Sequence, residues 1–117
     1  KRIVLGDDMN ALHITNNNTM ISPGGIGGLF SPQVSIQKKF PIKAFYWLYQ
    51  DSQNKIVPIN KTQAANYLLT SLPHLHWEDL TKTEENNYLN FVEKIINTTP
   101  FYKLYFTKDD SFWKVLN

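Results

Sequence analysis

Two adjacent carboxylates, Asp7 and Asp8, close the apolar run "IVLGDDM" at residues 3–9 and are the first side chains along the chain suited to chemistry. Each raises the cost of ionising the other, so the pair suits a place where a cation is supplied. At the carboxyl end of a strand such a pair fits a Mg²⁺ ion and a phosphate. One carboxylate holds the metal directly or through water, a role assigned to Asp8. The other orients a water or accepts a hydroxyl proton, so Asp7 and Asp8 together are the candidate catalytic residues. The ordinary alternative is a strand running into a turn, where Gly and Asp are common.

A phosphate site also needs a cradle, and "PGGIGG" at 23–28 is the candidate, because glycines let backbone N–H groups approach an anion. Gly24, Gly25, Gly27 and Gly28 would line it, with Lys39 supplying positive charge and Lys38 and Lys43 near it in sequence. The stretch departs from the P-loop pattern G-x-x-x-x-G-K-[ST], since Leu29 and Phe30 follow Gly28 and no helical pattern lies behind them. An ordinary glycine-rich loop with a solvated basic edge is the competing reading.

His74 and His76 flank Leu75 in "LPHLHWED", close to Glu78 and Asp79, and superficially resemble a metal cluster. Histidines two apart share a face only in an extended segment, and no third ligand stands at a recognisable spacing, so a surface loop is expected there. His13 is expected to be a packed or edge histidine. The sequence shows neither a Ser/His/Asp order nor a glycosidase-like carboxylate pair.

The elements that must position these residues alternate between strand and helix. Residues 2–5 and 11–15 read as extended, the second ending in the polar run Asn16-Asn17-Asn18 as one arm of a hairpin. Ser22 to Pro41, with four glycines and three prolines, has no helical period and is long for a connection. "FPIKAFYWLYQ" at 40–50 is apolar on both alternating sets and reads as a central strand covered on both faces. Asn60 with Gln63 and Thr81 with Glu84 are capping boxes ahead of two amphipathic helices, stopped near Pro73 and Pro100. "FYKLYF" at 101–106 is a further strand, and "SFWKVL" a short helix or tail whose Phe112 and Trp113 dock on the core. Without a full βαβ repeat, the pattern predicts an α/β fold with a mixed sheet and two main helices.

Bulk properties bound the function. At 117 residues with 42% hydrophobic content, one domain spanning 1–117 is expected. Net charge is +2, with 12 basic and 10 acidic residues intermixed, so neither a nucleic-acid stripe nor a membrane-directed polybasic run stands out. The absence of cysteine excludes a disulfide framework, a thiolate nucleophile and a Cys-ligated zinc site. No apolar run approaches the ~20 residues of a membrane span, and no signal-peptide pattern is present, so a cytoplasmic protein is expected. The chain opens at Lys1 rather than a methionine, as it would had a leader or upstream segment been removed.

Taken in order, these motifs resemble the HPr serine kinase/phosphorylase family and its small bacterial kinase-like relatives, which share the nucleotide-binding core of phosphoenolpyruvate carboxykinase. "VLGDDM" at 4–9 is similar to the family's Asp-Asp segment. "FPIKAFYWLYQDSQNKIVPINKTQAANYLL" at 40–69 is similar to the relatives' strand, polar turn and Ala-Leu helix. "TTPFYKLYFTKDDSFWKVL" at 98–116 resembles their C-terminal signature. The resemblance implies Mg²⁺ and ATP as cofactors in a complete homologue, a protein or small-molecule phosphoryl acceptor, a tendency to oligomerise, and the metal and proton-transfer roles at Asp7 and Asp8. The family's P-loop precedes its Asp pair, whereas this chain starts six residues before Asp7. The resemblance therefore implies a domain that is incomplete or inactive by itself. The alternative is a non-catalytic module that holds a protein or peptide on its aromatic scaffold and the 22–41 loop.

Overall fold

The computed structural model describes residues 11–23, 38–71 and 77–116. The expected strand at 2–5, the pair Asp7 and Asp8, the glycines Gly24, Gly25, Gly27 and Gly28, and both His74 and His76 lie outside the described residues. The chain divides into two compact units, Lys1–Ile42 and Lys43–Asn117. Together they make a mixed α/β protein with two sheets and three helices among the described residues.

The first unit holds an antiparallel sheet of β1 (Ala11–Thr15), β2 (Asn18–Ser22) and β3 (Phe40–Pro41), in that order. Its hairpin turns at Asn16 and Asn17, whose φ angles of 51° and 63° are both left-handed. Two-residue hairpins of the type whose twist matches the strands need this backbone at both central positions, and Asn tolerates it better than other side-chain-bearing residues. The Ile42 N–H donates to the Thr19 carbonyl at 3.0 Å, extending the β2–β3 pairing by one bond.

The second unit contains β4 (Phe45–Gln50), β5 (Lys55–Pro58), α1 (Lys61–Thr70), a 3-10 turn at Trp77–Asp79, α2 (Lys82–Thr98), β6 (Phe101–Phe106), a 3-10 turn at Asp110–Phe112 and α3 (Trp113–Leu116). The sheet order is β4-β6-β5, with β6 parallel to β4 and antiparallel to β5. Strand β6 therefore fills the gap between two strands that precede it by both helices.

This arrangement corrects the expectation of one central strand over 40–50. Phe40–Pro41 belongs to the first sheet and Phe45–Gln50 to the second. Pro41 offers no N–H, so it suits the end of a ladder rather than its continuation. Among the described residues β4 is an edge strand, and the central position falls to β6. Burial follows the same order: Leu104 of β6 is 3% exposed, whereas its registered neighbour Leu48 of β4 is 62% exposed. The apolar second face of β4 is an aromatic surface rather than a covered core.

Both helices start as their sequences dictate. The Gln63 N–H donates to Asn60 Oδ1 at 2.8 Å, and the Glu84 N–H donates to Thr81 Oγ1 at 3.1 Å. The reciprocal bonds to Gln63 Oε1 and Glu84 Oε1 complete both capping boxes. The ends fall at Thr70 and Thr98, each before the stopping proline. Helices α1 and α2 pack on one another, and their buried residues are Ala64 on α1 and Val92 and Ile95 on α2. Burying a side chain such as Ile95 contributes about 1.5–3 kcal/mol.

Candidate functional site

Strand alternation and register divide the second sheet into two faces. Phe45, Trp47 and Tyr49 of β4 lie beside Phe101, Lys103 and Tyr105 of β6, and these beside Val57 and Lys55 of β5. Tyr46 and Leu48 lie on the other face with Tyr102, Leu104, Phe106 and Ile56. There the Tyr46 and Tyr102 rings stack at 5.5 Å, and Phe112 meets Phe106 edge-on at 6.2 Å. Of the pair expected to dock on the core, Phe112 meets Phe106, whereas Trp113 packs on Phe112 and remains 38% exposed.

Helix α1 contributes Tyr67 to the first face. Its ring stacks on Trp47 with centroids 4.6 Å apart, and its hydroxyl lies 3.4 Å from that of Tyr49. Lys103 leans back over β4, its Nζ 5.6 Å from the centre of the Tyr49 ring and 6.0 Å from that of Tyr67. Lys55 covers the Tyr105 ring at 4.7 Å, and Tyr105 stacks on Tyr49 at 5.5 Å. An ammonium over an aromatic face is attracted by the ring quadrupole, which holds these stems in place.

The hydrogen bond with Tyr49 lowers the pKa of Tyr67 from the ordinary 10.0, and the Lys103 ammonium lowers it further. The same phenol contact raises Tyr49, and the neighbouring Tyr67 hydroxyl raises Lys103. The cluster therefore holds one relatively acidic phenol, one reluctant phenol and a firmly protonated amine. Among the described residues neither Lys55 nor Lys103 has a carboxylate within ion-pair distance; the ion pair there, Lys82 with Glu85 at 3.8 Å, is an exposed one on α2.

The backbone of β4 supplies a second kind of site. Phe45 N–H donates to the Pro100 carbonyl at 3.0 Å and Asp51 N–H to that of Phe106 at 2.8 Å, so the odd-numbered residues face β6. By the same alternation Tyr46, Leu48 and Gln50 direct their N–H and C=O groups away from the sheet. The two outer strands treat this exposure differently. β5 is four residues long and carries Lys55 and Pro58, features that blunt an edge, whereas β4 runs six residues, "FYWLYQ", without a lysine, proline or carboxylate.

Of the residues singled out by sequence, Lys39 is exposed ahead of β3 and Lys43 is exposed at the start of the second unit. His13 Nε2 lies 2.9 Å from the hydroxyl of buried Ser22, across the β1–β2 pair, as expected of an edge histidine. Among the described residues no group of three or more His, Asp or Glu is arranged to hold a metal, and no helix is long and apolar enough to cross a membrane. A cavity of about 220 Å³ between Pro58, Lys61, Ala64, Ile96 and Phe101 is mostly apolar and below the ~300–1,000 Å³ usual for small-molecule sites. The Tyr49–Tyr67–Lys103 cluster escaped the sequence reading, although a lysine in the middle of the aromatic strand "FYKLYF" was its visible signal.

The chain matches no family model, no curated protein and no solved structure.

Proposed function

We propose that this chain is a non-catalytic binding module that takes an extended peptide segment of a protein partner as an added strand along β4. The observation that carries the reading is the contrast between the two outer strands of one sheet: β5 is blunted by Lys55 and Pro58, and β4 is left open among the described residues, beside exposed Tyr46, Trp47 and Leu48. Strand addition draws affinity from main-chain hydrogen bonds and specificity from alternate side chains. Tyr46, Leu48 and Gln50 offer the first, and the aromatic rows on both faces offer the second.

Peptides selected from a displayed random library, then titrated against the purified chain, test this. Selected peptides should bind at micromolar strength, slow hydrogen exchange at Tyr46, Leu48 and Gln50, and lose at least tenfold affinity for Leu48→Pro. Leu48 points its N–H outward, so proline there leaves the β4–β6 ladder intact. Should that variant not fold, peptides N-methylated at alternate residues make the same comparison. Equal binding after either change, protection on another element, or a stable dimer of the chain that occupies β4 would overturn the reading.

A second reading, a kinase-type nucleotide site in the cytoplasm with a phosphoenolpyruvate-carboxykinase-like core, rests on the strand-then-Asp7-Asp8 pattern of "IVLGDDM". Titration with MgATP tests it.

A further inference from the structure

We infer that Tyr49, Tyr67 and Lys103 form an oxyanion subsite that receives a carboxylate or phosphate carried by the partner segment. The subsite deepens the strand-addition reading by naming the partner's chemistry, an acidic or phosphorylated extended peptide.

The argument starts from hydrogen-bond supply. The phenols of Tyr49 and Tyr67 hold two O–H protons, and their mutual contact at 3.4 Å uses one. The Tyr67 oxygen also takes one N–H of Lys103, so the second phenol proton and the other ammonium N–H groups remain to be accepted. An ammonium has three donors and no acceptor, and phosphate and carboxylate oxygens are the acceptors that also match its charge. Among the described residues the registered positions of this face carry no such oxygen: they are Phe45, Trp47, Tyr49, Phe101, Tyr105, Val57 and two lysines, and the carboxylate of Asp51, just past β4, accepts instead from the Ser52 N–H and hydroxyl. Lys103 is half-buried between tyrosine rings without an ion-pair partner among the described residues, an arrangement that a bound anion would complete.

Direction favours the same conclusion. Lys103 springs from β6 but reaches toward Tyr49 on β4, the side on which an added strand would lie. A strand there sits about 4.8 Å beyond β4, and every second side chain falls on the face of Trp47 and Tyr49. A Glu or phosphoserine at such a position and the long stem of Lys103 span the width of β4 between them. A second copy of β4 carries no carboxylate within the strand, and Asp51 beyond its end is already engaged by Ser52, so charge complementarity favours a different, acidic chain.

Inorganic phosphate and acetate, titrated into the full chain labelled with ¹³Cζ-tyrosine and ¹⁵Nζ-lysine, probe the subsite without involving the β4 backbone. A failure of strand addition thus leaves this result standing, and the reverse. Saturable shifts at Tyr49, Tyr67 and Lys103 are expected, weakened at least tenfold in Lys103→Gln and kept in the control Leu89→Ala on α2. Tyr49→Phe with Tyr67→Phe serves if Lys103→Gln does not fold. A selected peptide should then lose at least tenfold affinity when its face-matched Glu becomes Gln and regain it with phosphoserine; the Glu and phosphoserine arms separate the two anion sources. Equal phosphate shifts in Lys103→Gln, indifference to Glu→Gln, or tighter binding of an oligothymidylate than of the phosphoserine peptide would overturn the inference.

Discussion

The side-chain oxygen of Asn54 accepts the backbone N–H of Thr107 at 2.8 Å, joining the loop after β4 to the residue that follows β6, 53 positions along the chain. The Asn54 amide nitrogen donates to Ser111 Oγ at 2.6 Å, and Thr107 Oγ1 donates to Asp109 Oδ1 at 2.9 Å. Asp109 also accepts from the Ser111 N–H at 2.9 Å and from its hydroxyl. One carboxamide thereby pins the turn that closes the sheet.

Asn54→Ala should destabilise the second unit by about 1–3 kcal/mol, because it leaves the partly buried Thr107 N–H without its acceptor. Asn54→Asp, which keeps the acceptor for Thr107, should cost less. Urea unfolding followed by tryptophan fluorescence measures both, and equal losses would show that the Thr107 bond is not the main contribution.

Asp109 gives the same cluster a pH dependence. Hydrogen bonds from the Ser111 hydroxyl, the Ser111 N–H and the Thr107 hydroxyl hold its pKa below the ordinary 3.8. As pH falls the unfolded chain takes up this proton first, so the stabilisation is complete above the unfolded value and is lost as pH drops through the lower folded value. The gap in Tm between wild type and Asp109→Asn should therefore narrow as pH falls through and below the ordinary carboxylate range. A gap that stays constant would remove the carboxylate's charge from the account.

Strand position predicts a sharp contrast between two leucines in register. Leu104→Ala, in the middle of the sheet, should cost about 2–5 kcal/mol. Leu48→Ala, on the open edge, should stay within about ±0.5 kcal/mol. Trp47→Ala should fall between them, losing the Tyr67 stack, a contact worth about 0.5–1.5 kcal/mol beyond its buried area. Chemical denaturation of the three variants checks the order, and a heavy loss at Leu48 would mean that β4 is covered.

The nucleotide reading predicts little from this chain by itself. Without the P-loop pattern, MgATP should bind with a dissociation constant of roughly millimolar or weaker, about −4 kcal/mol, and no phosphoryl transfer should follow. Asp7→Asn and Asp8→Asn should leave Tm level or raise it, since each relieves like-charge repulsion. Calorimetry that returned micromolar affinity would point to a phosphate site, with Gly24, Gly25, Gly27 and Gly28 the first place to look.

Local signals in the sequence proved readable wherever a few neighbouring residues decide the outcome. The two capping boxes, the hairpin at Asn16 and Asn17, and strand 101–106 each depend on contacts within a handful of positions. The order of strands depends on which long-range pairing wins, and "FPIKAFYWLYQ" and "FYKLYF" are almost equally apolar. Periodicity therefore could not rank β4 below β6. The Tyr49–Tyr67–Lys103 cluster was hidden for the same reason, since it draws one residue from each of three elements and no spacing along the chain links them.

The place of β6 between β4 and β5 also sets a timetable for synthesis. Neither outer strand can find its pairing partner until residues 101–106 have been made, and at ~5–20 residues per second the stretch from Pro58 to Phe101 takes roughly two to nine seconds. During that interval "FYWLYQ" emerges with both of its sides unpaired, a state in which nascent chains attract chaperones or one another. Self-contained caps at Asn60 and Thr81 let the two helices form in the meantime, so that the sheet is finished by inserting one strand into a waiting slot.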